Sequence, residues 1–109
     1  MSHVTTHVLD TGHGVPARGV AVTLRTAGGK ELGRGITDAD GRVGALGPDT
    51  LDAGTYVLTF DTGAYWADLD IQTFFPTVTI AFEIPEPPAA HYHVPLLLSP
   101  FAYSTYRGS

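Results

Sequence analysis

The chain has no cysteine in its 109 residues. That removes disulfide scaffolds, thiolate metal sites and thiol nucleophiles together, and it leaves the redox compartment open. Basic residues are scarce as well, with 6 Lys plus Arg against 11 Asp plus Glu and a formal net charge of −5. No basic stripe is available to neutralise phosphates, so a nucleic-acid partner is not expected. No apolar run approaches the roughly 18 residues of a membrane span, and the N-terminus has neither a basic start nor a signal-like apolar stretch. The expectation is therefore no membrane association and a cytoplasmic location; the end Tyr106-Arg107-Gly108-Ser109 is neither a peroxisomal tripeptide nor a lipidation box. Phosphate loops, dinucleotide fingerprints and a Gly-x-Ser-x-Gly elbow are missing. Long helices are short of material too, because 13 Gly and 8 Pro demand frequent turns.

What is present is a folding chain, since 43% hydrophobic residues against 16% charged is not a disordered composition. Its length suits one domain over residues 1–109. Apolar and polar residues alternate with period two in one segment after another. Val4, Thr6 and Val8 alternate with His3, Thr5 and His7, placing His3 and His7 on one strand face. Further strands are read at Val20, Val22 and Leu24, at 32–37, from Arg42 to about residue 46, and at Tyr56, Leu58 and Phe60. Val78, Ile80, Phe82 and Ile84 make the cleanest alternation; 91–98, with Pro95 inside, and 101–107 complete the set. One helix is expected over about 63–69, capped by Asp61 or Thr62. About eight short strands with one short helix predict an all-β protein, a two-sheet antiparallel β-sandwich.

Five histidines need explaining. His91 and His93 share a strand face, as residues two apart must. One reading is ordinary solvated or hydrogen-bonded strand histidines. A second is zinc held by His7, His91 and His93 with an open position, although no carboxylate is placed as its general base. A third is metal-free acid–base catalysis, one imidazole activating water and another assisting proton transfer. Arg42 follows the turn Asp38-Ala39-Asp40-Gly41 at a strand start, where its guanidinium either points into a cleft or pairs with Asp38 or Asp40. Tyr65-Trp66 and Phe74-Phe75 line a pocket or, more ordinarily for aromatics at element ends, fill the core.

Taken in order, these motifs resemble one family. The segments Thr6-His7-Val8-Leu9-Asp10-Thr11, Thr37-Asp38-Ala39-Asp40-Gly41-Arg42 and His91-Tyr92-His93-Val94-Pro95-Leu96-Leu97, with the terminal Tyr106-Arg107-Gly108-Ser109, resemble 5-hydroxyisourate hydrolases. The resemblance covers essentially the whole chain, and the terminal tetrapeptide is its most specific part because it separates these enzymes from their relative transthyretin. It implies a transthyretin-like sandwich of two four-stranded sheets, assembled as a homotetramer, a dimer of dimers, with clefts at the ends of a central channel. The implied reaction is hydrolysis of 5-hydroxyisourate to 2-oxo-4-hydroxy-4-carboxy-5-ureidoimidazoline in urate breakdown, with no metal or organic cofactor. On the positions that match, His7, Arg42, His93 and Ser109 are implied as catalytic, and His7, Arg42, Tyr106 and Ser109 as substrate-binding. His91, Arg107 and Gly108 are implied as support.

Two other classes compete. A transthyretin-type carrier would use the same channel for a small ligand, but it has no need of two histidines, Arg42 and the terminal tetrapeptide. An accessory β-sandwich module of the carboxypeptidase regulatory kind resembles residues 14–56, and that likeness stops before the His-Tyr-His segment.

Overall fold

In the computed structural model, which describes residues 2–109, the period-two segments become nine strands and one helix. In chain order these are β1 (Val4–Asp10), β2 (Val15–Pro16), β3 (Ala21–Thr26), β4 (Glu31–Ile36), β5 (Arg42–Val43) and β6 (Gly54–Phe60). Then follow α1 (Thr62–Asp68), β7 (Val78–Ile84), β8 (Tyr92–Ser99) and β9 (Ala102–Thr105). They form two sheets. One runs β2-β1-β8-β9 with β5 also on β1, and the other runs β4-β3-β6-β7. The expected two-sheet sandwich with one short helix is present.

Two features go beyond the sequence reading. First, β1 and β8 pair in parallel over seven residue pairs, from Val4 with Tyr92 to Asp10 with Leu98, while the other ladders are antiparallel. Second, the sheet holding β1 has five strands among the described residues, because the two-residue strands β2 and β5 both pair with β1. Alternation reveals neither strand direction nor a strand too short to have a period.

The faces follow the alternation. In β1, Val4, Thr6, Val8 and Asp10 point inward and Thr5, His7 and Leu9 point outward. Val94, Leu96 and Leu98 of β8 pack across the core from Leu24, Leu58 and Phe60, all buried. A leucine in such a place, truncated to alanine, costs on the order of 2–5 kcal/mol. The helix starts where Asp61 accepts the Ala64 N–H at 3.3 Å, and it buries Trp66 against the core. Trp66 is thus core rather than pocket lining, whereas Phe74 stays 71% exposed.

His3 departs from the strand-face reading. It precedes β1 and is buried, its Nδ1 accepting the Leu51 N–H at 2.8 Å and its Nε2–H donating to the Ala89 carbonyl at 2.8 Å. Both nitrogens are spent on backbone, so His3 is a structural histidine and does not share an outward face with His7.

The last strand is shorter than expected. Residue 105 pairs with Leu96, and the next ladder position would fall at Pro95, which has no N–H to give. The chain leaves the ladder there and returns at Gly108, which bridges His93. That departure carries Tyr106 and the C-terminus over the outer face of β8.

Candidate active site

β1 is the centre of the site. Its outward residues Thr5 and His7 are flanked by β5 on one side and β8 on the other, with His7 opposite Arg42 and Thr5 opposite His93. Arg42 owes its position to the turn before it. The Asp38 carboxylate accepts the backbone N–H of Arg42 at 3.0 Å and of Asp40 at 2.9 Å. The Arg42 backbone bond and the smaller Asp40 one hold the Asp38 carboxyl below its ordinary pKa. Gly41 turns the corner at φ +77° and donates to the Asp38 carbonyl, while its own carbonyl accepts from Val8. A side chain at 41 would collide with the Val8 carbonyl oxygen, so this crossing over β1 needs glycine.

An open cavity of about 400 Å³ lies on this face, lined by Thr5, Arg42, His91, His93, Tyr106, Gly108 and Ser109. Such a volume suits a small ligand. Of the five residues implied as functional by motif, four line it: Arg42, His93, Tyr106 and Ser109. His7 stands beside them on the same strand face without lining the cavity. Its Nε2 lies 2.7 Å from the Asp40 carbonyl, which only accepts, so Nε2 carries a hydrogen and Nδ1 is the nitrogen left to face a ligand or water.

His93 has the most informative surroundings. Burial pushes its imidazole pKa down from the ordinary 6.5, and the positive charge of Arg42 pushes it further the same way, with smaller repulsion from His7 and His91 whenever either is protonated. The ring is therefore neutral at pH 7, with a lone pair to use. Its Nδ1 lies 2.9 Å from Thr5 Oγ1, and His91 Nε2 lies 2.8 Å from the same oxygen. Gly108 is packed against the His93 side chain, where an added Cβ would lie 2.5 Å from Cδ2. The Gly108 N–H donates to the His93 carbonyl at 2.8 Å. Arg107 does not line the cavity; its guanidinium sits 4.9 Å from the centroid of the Tyr92 ring and pins the terminal segment.

Among the described residues no group of three or more His, Asp or Glu is arranged to hold a metal ion. The histidine triplet weighed for zinc is divided instead between the Thr5 hydroxyl and the Asp40 carbonyl. Thr5 is the residue sequence reasoning missed. Its signal was position alone, two residues before His7 on the same strand face.

A sandwich of this topology with a histidine–arginine cavity on its outer face defines a class, and comparison with known proteins gives it a name. The model of the HIUase/Transthyretin family matches residues 4–108, and the chain belongs to that family. The mouse 5-hydroxyisourate hydrolase is 44% identical over 99% of this chain and 96% of its own length. A solved structure, the 5-hydroxyisourate hydrolase of Klebsiella pneumoniae, superposes with a TM-score of 0.89 at 40% identity, covering 99% of this chain and all of the other. The transthyretin of Sparus aurata shares the fold at TM-score 0.88 and 33% identity, over 99% of this chain and 97% of its own. Among the described residues no helix is long and apolar enough to cross a membrane.

Proposed function

We infer that this chain is a hydrolase of 5-hydroxyisourate, acting in urate degradation through side chains on the outer face of β1, β5 and β8. The observation that carries the site assignment is a neutral, half-buried imidazole, His93, sharing a cavity with a permanently charged guanidinium, Arg42. Hydrolysis of a cyclic amide needs a proton taken from water as it adds to the carbonyl, and a positive group where the oxyanion forms. His93 Nε2 takes the proton. Arg42 receives the developing charge and holds the substrate by paired hydrogen bonds. Collapse of the tetrahedral adduct breaks the carbon–nitrogen bond, and the departing nitrogen recovers a proton from an imidazole. His7, its tautomer set by Asp40, is the second imidazole available to position water or move that proton. Tyr106 walls the cavity, and Ser109 offers its hydroxyl or terminal carboxylate to orient substrate or a ring. A carrier of apolar ligands needs none of this polar lining.

The assay generates 5-hydroxyisourate with urate oxidase and follows its ultraviolet decay. Wild-type protein accelerates the decay; His93→Ala, His7→Ala and Arg42→Gln each lose at least ~100-fold, in line with removal of an acid–base or oxyanion group. Because burial, and then Arg42, push the His93 pKa below its ordinary value, the acid-side loss of rate is expected at lower pH than an unperturbed imidazole base would give. Decay no faster than the spontaneous reaction sinks the function, and full activity in the three variants sinks the site.

A homotetramer is part of the same proposal. β7 and β9 are edge strands, each with one side unpaired within the chain. Phe74 and Phe101 remain 71% and 65% exposed. The outer face of β1 and β8 continues from Thr5, His7 and His93 to the half-buried pair Leu9 and Leu97. A second dimer laid on this face would cover the leucines and close the cavity to bulk water.

A further inference from the structure

We propose that Thr5 is a positioning residue, whose single hydroxyl hydrogen links the tautomers of His91 and His93 and lets a proton pass between them. The inference deepens the hydrolase reading and rests on it. Thr5 Oγ1 has two nitrogen neighbours, His91 Nε2 at 2.8 Å and His93 Nδ1 at 2.9 Å. A hydroxyl owns one hydrogen and can donate it once. The two rings cannot both accept from it, and if both donated to the oxygen's two lone pairs the hydroxyl hydrogen would be left without an acceptor, since Thr5 Oγ1 has no other hydrogen-bond partner among the described residues. The arrangement that uses every group has one ring donating an N–H and the other accepting the O–H, with the two nitrogens facing Thr5 in opposite states.

In the productive arrangement His93 Nδ1–H donates to Thr5, and the Thr5 O–H donates to His91 Nε2. His93, which lines the cavity, then has Nε2 as its lone-pair nitrogen, as a base requires. When Nε2 takes a proton from water, the ring becomes an imidazolium in a half-buried position beside Arg42, and both the burial and that charge disfavour it. The relay relieves this. The Nδ1 proton moves to Thr5 Oγ1 as the hydroxyl proton moves to His91 Nε2. No net atom is gained or lost: His93 becomes neutral with Nε2–H, and His91 becomes the cation. Reversal returns the proton to His93 Nδ1 as Nε2–H passes to the departing nitrogen, restoring the starting state.

Geometry holds the oxygen in place. Thr5 is opposite His93 in the parallel ladder of β1 and β8. As a β-branched residue on a strand it has few rotamers to sample. This gives a threonine on the outer face a role that sheet propensity does not require.

The test compares wild type with Thr5→Val, which keeps the shape and loses the hydroxyl, and Thr5→Ser, which keeps the hydroxyl. Decay of 5-hydroxyisourate is measured beside long-range nitrogen–proton spectra of the imidazoles, with thermal melts reporting folding. In wild type the spectra show one protonated and one unprotonated nitrogen at the positions facing Thr5. Thr5→Val loses this complementarity and its kcat falls by about 10- to 100-fold, a part of what acid–base groups supply, with KM little changed. Thr5→Ser restores both. If wild type is active and Thr5→Val keeps its kcat, or if both facing nitrogens carry the same state in wild type, the relay is overturned while the hydrolase reading stands. Wild type with no activity overturns both.

Discussion

At the scale of single residues, the site depends on contacts that leave no room. Gly108 touches the His93 ring so closely that an added methyl must push the imidazole aside, since Cδ2, Cγ and Cβ of His93 all lie within 2.5–3.3 Å of where it would sit. A shift of about 1 Å in a reacting group can cost on the order of 100-fold in rate. Gly108→Ala is expected to lower kcat by about 10- to 100-fold while the melting temperature stays within a few degrees, because Gly108 is not part of the core. Steady-state kinetics and a thermal melt on the same preparation check this, and a variant with wild-type kcat would show that the ring tolerates displacement. The residues proposed for catalysis are legible from motif alone: His7, Arg42, His93, Tyr106 and Ser109 all lie in the motif segments, and four of them line one cavity. What stayed hidden was the role of small residues. A threonine in a strand reads as a good strand former, so nothing in the letter marks Thr5 as a shared partner of two rings. His3 was misplaced for a related reason: parity along β1 can be extended to residue 3 on paper, but the chain turns inward there to bond with the backbone at 51 and 89.

At the scale of elements, β1 carries the candidate site on one face and the core on the other, and its last residue ties it to the helix. The Asp10 carboxylate is buried, and it accepts from the Tyr65 hydroxyl at 2.7 Å, from His13 Nδ1 at 2.7 Å and from the His13 backbone N–H at 2.9 Å. Burial by itself would raise this carboxyl's pKa. The bonds from Tyr65 and then His13 outweigh it, so the carboxyl lies below its ordinary 3.8. The sign follows directly. A carboxyl with a depressed folded pKa gives stability that is fully present above its unfolded value and is lost as the pH falls through the folded one. Tyr65→Phe removes the largest of the favourable bonds and moves the Asp10 pKa up. It is expected to cost about 1.5–3 kcal/mol at neutral pH, the range for a hydrogen bond to a charged group. Its acid unfolding should begin at higher pH than that of wild type. Denaturant melts across pH 2–7 decide it, and coincident acid transitions for the two proteins would rule out Asp10 as the titrating latch. The alternation marked β7 at 78–84 to the residue, since it crosses the sheet with one clean inner face. β2 escaped notice because two residues between Gly14 and Ala17 have no period to detect.

At the scale of the whole molecule, the question is what covers the outer face of β1 and β8. A lone sandwich would leave His7, Arg42 and His93 in contact with bulk water, where hydrogen bonds to a developing oxyanion are worth far less than in an excluded site. Leu9, the next outward residue after His7, and Leu97 are paired on that face and half-buried. A carboxylate at Leu97 would be harmless on a solvated surface and costly in a dimer–dimer contact, where a second copy of the same charge meets it across a two-fold axis. Leu97→Glu should therefore yield folded dimers in sedimentation equilibrium, with a far-ultraviolet spectrum like that of wild type. The dimers are expected to hydrolyse 5-hydroxyisourate at least ~10-fold more slowly, the loss tracking that of a preorganised electrostatic site opened to water. If the variant dissociates and keeps its full rate, the cavity on one protomer is sufficient and coverage by a second dimer has no part in catalysis. If it remains a tetramer, the contact between dimers lies elsewhere, and the exposed Phe74 and Phe101 become the next positions to charge.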